Sequence, residues 1–197
     1  ISDHSCLFLL GEGGIGKTTA LSEVVDDLKS EDKDVICEDL SGIGSFPELR
    51  SHVFKSDKYE NWIENEKEIH IFLDSLDECI LTYETVVSNL AKEIEKVSSK
   101  LHRLKLRIAC RTGYWQHDTQ MRDKFISVFG EKSVGTYELA PLRETDAKSA
   151  ANQLGFDSES FLEEIYQKRI VPLARVPVTF RLITKLYDDR ESLPETR

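Results

Sequence analysis

The sequence has no apolar run of the roughly 18 residues a membrane-spanning helix needs, so nothing in it is expected to cross a bilayer. It has only four cysteines, and Cys6, Cys37, Cys79 and Cys110 form no Cys-x-x-Cys pair. That spacing argues against a zinc cluster and reads as small core residues in a reducing cytoplasm. Positive charge is short as well: 26 Lys and Arg against 36 Asp and Glu leave a net charge of −10. A nucleic-acid binder neutralises phosphates with a basic face, and this balance gives no such face. The five histidines are scattered and read as fillers. Repeats, low-complexity tracts and a visible signal peptide are all missing. Ile1 leads almost directly into an apolar run, and a polar stretch from Glu191 follows an apolar helix, so further chain is expected on either side.

What is present is an alternation of apolar strands and amphipathic helices. Strands are predicted near 5–10, from Val35, over Ile69–Leu73, over Leu104–Cys110 and near 134–139. Helices are predicted to about residue 29, at 47–53 and 59–63, as one long element over 82–101, and near 116–129. Strands apolar on both faces and separated by helices imply a parallel sheet covered on two sides. After Pro141 only helical periodicity remains. The expected fold class is therefore α/β: a three-layer α/β/α domain around a five-stranded parallel sheet over 1–140, followed by a small, incomplete helical domain over 141–197.

Gly11-Glu12-Gly13-Gly14-Ile15-Gly16-Lys17-Thr18 fits G-x-x-x-x-G-K-[ST], the phosphate-binding loop. The spacing has a physical reason. Glycines let the backbone curl so that several N–H groups point at phosphate oxygens, and the loop opens a helix whose free amides favour negative charge. Lys17 can reach the outer phosphates and the Thr18 hydroxyl can ligate Mg²⁺. With Thr19 beside it, this run supplies the candidate nucleotide contacts, and a nucleotide with Mg²⁺ is the expected cofactor set. An apolar strand before the loop and an amphipathic helix after it provide the context the motif requires.

Ile69-His70-Ile71-Phe72-Leu73-Asp74 is an apolar strand ending in an acid, with Asp77 and Glu78 just beyond. An acid at the carboxyl end of such a strand faces the crevice where phosphates sit and can hold Mg²⁺ through water. Asp74 is given that role. A carboxylate a few residues on can orient or deprotonate water; Asp77 is preferred, with Glu78 in support. Solvated acids after a strand are common, and it is the loop upstream that raises these above background.

The run Phe72-Leu73-Asp74-Ser75-Leu76-Asp77-Glu78 resembles the extended Walker B motif of NACHT-type STAND NTPases, with Ser75 where Gly is usual. Ile108-Ala109-Cys110-Arg111 resembles that family's sensor strand, though Thr112 stands where Pro commonly follows the Arg. Tyr137 to Leu142 resembles the exit into its helical domain, and Val176-Pro177-Val178 the segment whose Pro packs on adenine, with Arg175 in place of a frequent Gly. The resemblance implies a cytoplasmic ATPase switch in immunity or anti-phage defence. It would form homo-oligomers on activation and be joined to sensor and effector domains absent from this sequence. It also implies ATP or ADP as the nucleotide, with Arg111 sensing the γ-phosphate and Pro177 contacting the base.

Other readings stay open. Arg111 could be an ordinary surface ion-pair partner, and Pro177 a helix-start proline. Trp62, Tyr114 and Trp115 read as packing aromatics. A GTPase would want Asn-Lys-x-Asp and an Asp-x-x-Gly after the acidic strand, and neither occurs. A small-molecule kinase shares the loop but usually carries an Arg-rich lid, whereas Arg111, Arg122 and Arg143 are isolated. A nucleotide-binding scaffold with little turnover is the remaining alternative.

Overall fold

The computed structural model describes residues 3–82, 84–117, 119–190 and 192–193. Its strands are β1 Cys6–Leu10, β2 Asp34–Asp39, β3 Ile69–Asp74, β4 Leu104–Cys110 and β5 Val134–Glu138. They form one sheet in the order β2-β3-β4-β1-β5, with every neighbouring pair parallel. The register brings the carboxyl ends level: Leu10 lies beside Cys110 and Glu138, and Asp39 beside Asp74. From β1 the chain crosses to the far edge at β2, then returns strand by strand and passes β1 to reach β5. Connections therefore leave in opposite senses at β1, where an open α/β sheet forms its binding crevice.

The sheet is covered on both faces. On one, α1 (Lys17–Ser30) lays Leu21, Val25 and Leu28 on Val35, Phe72 and Ala109. The other face is the larger core. There α2 (Phe46–His52), α3 (Asp57–Glu64), α4 (Leu76–Thr82), α5 (Val86–Glu95) and α7 (Thr119–Phe129) pack on Phe8, Ile71, Leu73, Leu106 and Ile108. The short α6 (Thr112–His117) precedes α7. Phe8 sits at the centre of this layer, its ring 4.3 Å from Trp115 and edge-on to Phe125 at 5.2 Å. Truncating such a side chain to alanine costs about 3–5 kcal/mol. Trp62 is fully buried with the Arg103 guanidinium 5.3 Å from its ring, so both tryptophans are packing residues.

Two expected helices differ in the structure. The single element expected over 82–101 comprises the end of α4, then α5, then a 3₁₀ segment over Ser98–Arg103. Val97 and Leu101 still pack on the same core, which is why the apolar spacing continued past the end of α5. Ser98 and Ser99, whose hydroxyls compete for backbone groups, favour the tighter turn there. The element expected near 116–129 begins earlier, its described residues being Thr112–His117 of α6 and Thr119–Phe129 of α7.

By internal contacts the chain divides into two compact units: Ile1–Glu12 with Lys17–Glu138, and Gly13–Gly16 with Leu139–Arg197. The second is helical, with α8 Glu144–Gln153, α9 Ser158–Gln167, α10 Val171–Ala174 and α11 Pro177–Arg190. Its core holds Ala147, Ala151, Leu162, Ile165 and Ile183 around Phe161, whose ring meets Phe156, Phe180 and Tyr187. The Leu142 N–H donates to the Arg175 carbonyl (2.8 Å), tying the entry of this unit to the turn before α11. Among the described residues no helix is long and apolar enough to cross a membrane.

Candidate functional site

The loop after β1 adopts the backbone its glycines allow. Gly14 and Gly16 have φ of +76° and +100°, values that disfavour any residue with a Cβ. Gly14 is also sterically constrained: a Cβ there would lie 2.3 Å from Val178 Cγ1, and the Val178 N–H donates to the Gly14 carbonyl at 3.2 Å. Ile15 is buried, while Glu12, Gly13, Thr18 and Thr19 are exposed. Lys17 opens α1 and turns its ammonium back over the loop, donating to the carbonyls of Gly11 (2.5 Å) and Glu12 (3.1 Å). Its charge is thus held by the loop whose carbonyl ends it neutralises.

The next residue reaches across the sheet. Thr18 Oγ1 donates to Asp74 Oδ2 at 2.6 Å, and Asp74 Oδ1 accepts the N–H of Ser75 at 2.8 Å. Asp74 is buried at the end of β3, and both its oxygens are fixed. A hydroxyl paired with an oriented carboxylate is the donor set that Mg²⁺ takes, one ligand directly and one through water. No group of three His, Cys, Asp or Glu side chains suited to a metal occurs among the described residues. These two would therefore hold the ion only together with phosphate oxygens and water, as Mg²⁺ commonly requires.

Asp77 and Glu78 lie in the first turn of α4, where the helix dipole favours acids. Asp77 is almost fully buried. Its Oδ1 accepts the backbone N–H of Arg111 (3.0 Å) and its Oδ2 forms an ion pair with Arg111 Nε at 2.9 Å, while Arg111 Nη2 donates to Glu78 Oε1 (3.0 Å). Arg111 follows the last residue of β4, so the two sequence-predicted acids and the predicted arginine meet in one cluster. A cavity of about 300 Å³ lies against it, lined by Glu12, Arg111, Gly113 and Tyr114. Cys110, at the end of the same strand, is held as a thiol: burial first, then the Asp77 charge, push its pKa up to about 12.

Three features of this strand-end row were not foreseen. Thr112 Oγ1 donates to Glu138 Oε1 at 2.9 Å, joining the ends of β4 and β5. Asp39, level with Asp74 at the end of β2, is held below the usual carboxylate range, chiefly by the N–H of Ser41 and despite partial burial. Ser75 has φ of +59°, which explains physically why Gly is usual at the corresponding motif position. Short polar residues after apolar strands were the available signal for all three. Pro177 is the first residue of α11, where a missing N–H does no harm.

No protein-family model and no curated protein matches the chain at the level of sequence. Solved structures do match its fold, that of the P-loop NTPases. A Walker-type ATPase of Pyrococcus abyssi superposes with a TM-score of 0.61 at 13% identity, covering 96% of this chain and 64% of its own. DnaA of Aquifex aeolicus bound to AMPPCP gives 0.61 at 15%, covering 96% and 56%. The Aeropyrum pernix ORC2 protein, in ADPNP–ADP complexes, gives 0.58 at 13%, covering 97% and 59%. The chain thus spans under two thirds of the length of these structures. It has the three-layer α/β/α architecture with a five-stranded parallel sheet that the sequence pattern predicts.

Proposed function

We propose that this chain is the adenine-nucleotide-binding ATPase module of a larger switch protein of the NACHT-type STAND class, acting in the cytoplasm in immune or anti-phage defence. The observation that carries the nucleotide reading is the meeting of Thr18 with Asp74 beside the glycine loop and Lys17. The adenine preference draws support from structural neighbours bound to AMPPCP, ADPNP and ADP. The NACHT assignment rests on the motif run over Phe72–Glu78, on Arg111 and on Val176-Pro177.

In this reading the loop from Gly11 to Gly16, with Lys17, Thr18 and Thr19, binds the phosphates, and Pro177 contacts the base. Thr18 and Asp74 hold Mg²⁺, which when bound supplies positive charge to the phosphate oxygens. That need is plain from the balance of charge, because Asp74, Asp77 and Glu78 outnumber Lys17 and Arg111. Asp77 orients the attacking water, Glu78 supports it, and Arg111 meets the γ-phosphate. Residues 1–140 form the nucleotide-binding domain and 141–197 the start of the helical domain. Sensor and effector domains and homo-oligomer formation belong to the longer protein.

A second reading, a nucleotide-binding scaffold with little turnover, is favoured by one observation: both Asp77 oxygens are already engaged by Arg111, one by its backbone N–H and one by its guanidinium. The experiment that separates the readings is to denature the purified protein, identify released nucleotide by chromatography, and measure Mg-ATP turnover, with Lys17→Ala alongside. Adenine nucleotide and slow hydrolysis in the parent protein alone support the switch. Bound nucleotide without Lys17-dependent turnover supports the scaffold, and guanine nucleotide would overturn the STAND assignment.

A further inference from the structure

Arg111 divides two hydrogen bonds and an ion pair between two acids in very different surroundings. The contacts on Asp77 are sealed: that carboxylate is 3% exposed, pairing with Nε through one oxygen and accepting through the other a backbone N–H fixed by the end of β4. The bond to Glu78 lies at the surface, where the guanidinium is 46% and the carboxylate 45% exposed. An exposed pair of this kind is weak, open to water and screened by salt. The cavity of about 300 Å³ opens against the same guanidinium and is bordered by Glu12 of the glycine loop. Leu10 and Cys110 are register partners, so the glycine loop and Arg111 leave neighbouring strands at the same level. Lys17 and Asp77 both act on the Cys110 thiol, which places the loop lysine and the buried acid around one strand end.

We propose that Glu78 is a counter-anion that competes with the terminal phosphate of the nucleotide for the Arg111 guanidinium, and so sets how strongly the site prefers a triphosphate to a diphosphate. The proposal deepens the nucleotide reading above and rests on it. With a diphosphate bound, Arg111 keeps both carboxylates. With a triphosphate, Nη2 leaves Glu78 for a γ-phosphate oxygen, while the backbone N–H of Arg111 keeps its bond to Asp77. The exchange takes place at the exposed contact because that one is the weaker, and phosphate offers more charge to a guanidinium than one carboxylate does. Glu78 in this account is a specificity-determining residue acting through Arg111 rather than on the reacting atoms.

The test compares the affinities of Mg-ADP and a non-hydrolysable Mg-ATP analogue for the full chain and for Glu78→Gln, Arg111→Gln and the double variant. Glu78→Gln is expected to raise the triphosphate-to-diphosphate affinity ratio about two- to fivefold, the range for one exposed ion pair. Its effect should fade in high salt. In the Arg111→Gln background the same Glu78 change should leave the ratio unmoved, since coupling appears only where the partner is present. A merely structural role would shift both nucleotides together. The proposal is overturned, and the nucleotide reading kept, if the parent binds both nucleotides and Glu78→Gln leaves the ratio where it was. It is equally overturned if the Glu78 effect persists without Arg111. If the parent binds neither nucleotide, the nucleotide reading itself falls and this proposal with it.

Discussion

The Thr18 hydroxyl and the Asp74 carboxylate, 56 residues apart in the chain, meet at 2.6 Å. Asp74 keeps its second oxygen on the N–H of Ser75, so its orientation is set from both sides. Asp74→Asn preserves the shape and removes the charge. It is expected to weaken the Mg²⁺ dependence of ATP binding by about ten- to a hundredfold, as loss of a supporting group at a metal site does. Binding measured in EDTA should change little. Lys17→Ala, by contrast, should weaken binding with and without Mg²⁺. Equal losses for Asp74→Asn in both conditions would remove the metal-holding role.

Ser75 sits between these groups with φ of +59°. An L-residue in that region costs about 1–2 kcal/mol, whereas Gly gives back about 0.5–1 through lost chain entropy. Ser75→Gly is therefore expected to raise unfolding stability by up to about 1 kcal/mol, and Ser75→Val to lower it, in urea denaturation. The Ser75 carbonyl already accepts the N–H of Glu78 and Cys79, and these bonds survive either change. A destabilised glycine variant would show that the left-handed turn is not strained.

The fold was legible because its strands are apolar on both faces: all six residues of β3 are buried, and such a run reads as a sheet interior in any context. The loop and the acids stood out by their spacing, and the structure brings Thr18 to Asp74 and Arg111 to Asp77 and Glu78. What escaped were interactions whose partners are remote in sequence and carry no spacing rule. Thr112 with Glu138 is one case, and Arg103 donating to the carbonyls of Asn65 and Lys67 is another. The break after Glu95 escaped for a different reason: Val97 and Leu101 remain on the core after the helix has tightened, so apolar period alone could not mark it.

Glu93, on α5, is buried yet charged, with its two oxygens taking Arg50 Nε and Lys96 Nζ. Burial alone would raise its pKa; the bonds from Lys96 and Arg50 outweigh that and hold it below its ordinary value. A depressed folded-state value means the stabilisation is complete above the unfolded value of about 4.3 and is lost as pH falls through the folded one. Glu93→Gln puts a neutral amide in the buried position between two exposed cations. The expected cost near pH 7 is about 1–3 kcal/mol. Parent and variant should converge in thermal melts carried down to pH 3. A constant gap over that range would contradict the assignment.

His70 lies within β3, nearly enclosed, and the opposite sign of ionisation makes it a second acid-sensitive point. Glu68 is 3.0 Å from its Nε2 and favours the charged ring, while Arg107 and Lys105 on the neighbouring strand disfavour it. Burial is the largest influence, and the net result is a pKa below the ordinary histidine value. The folded state therefore binds fewer protons here than the unfolded state, so stability rises with pH across the interval between the two values. In the parent protein the His70 contribution should be fully present above an unfolded value of about 6.5 and fade as pH falls through the lower folded one. Replacing the ring with an apolar β-branched side chain, His70→Val, suits a buried strand and removes the titration. Urea midpoints measured from pH 8 to pH 5 should fall more steeply for the parent than for His70→Val. Parallel curves would mean that Glu68 holds the imidazolium well enough to offset its burial.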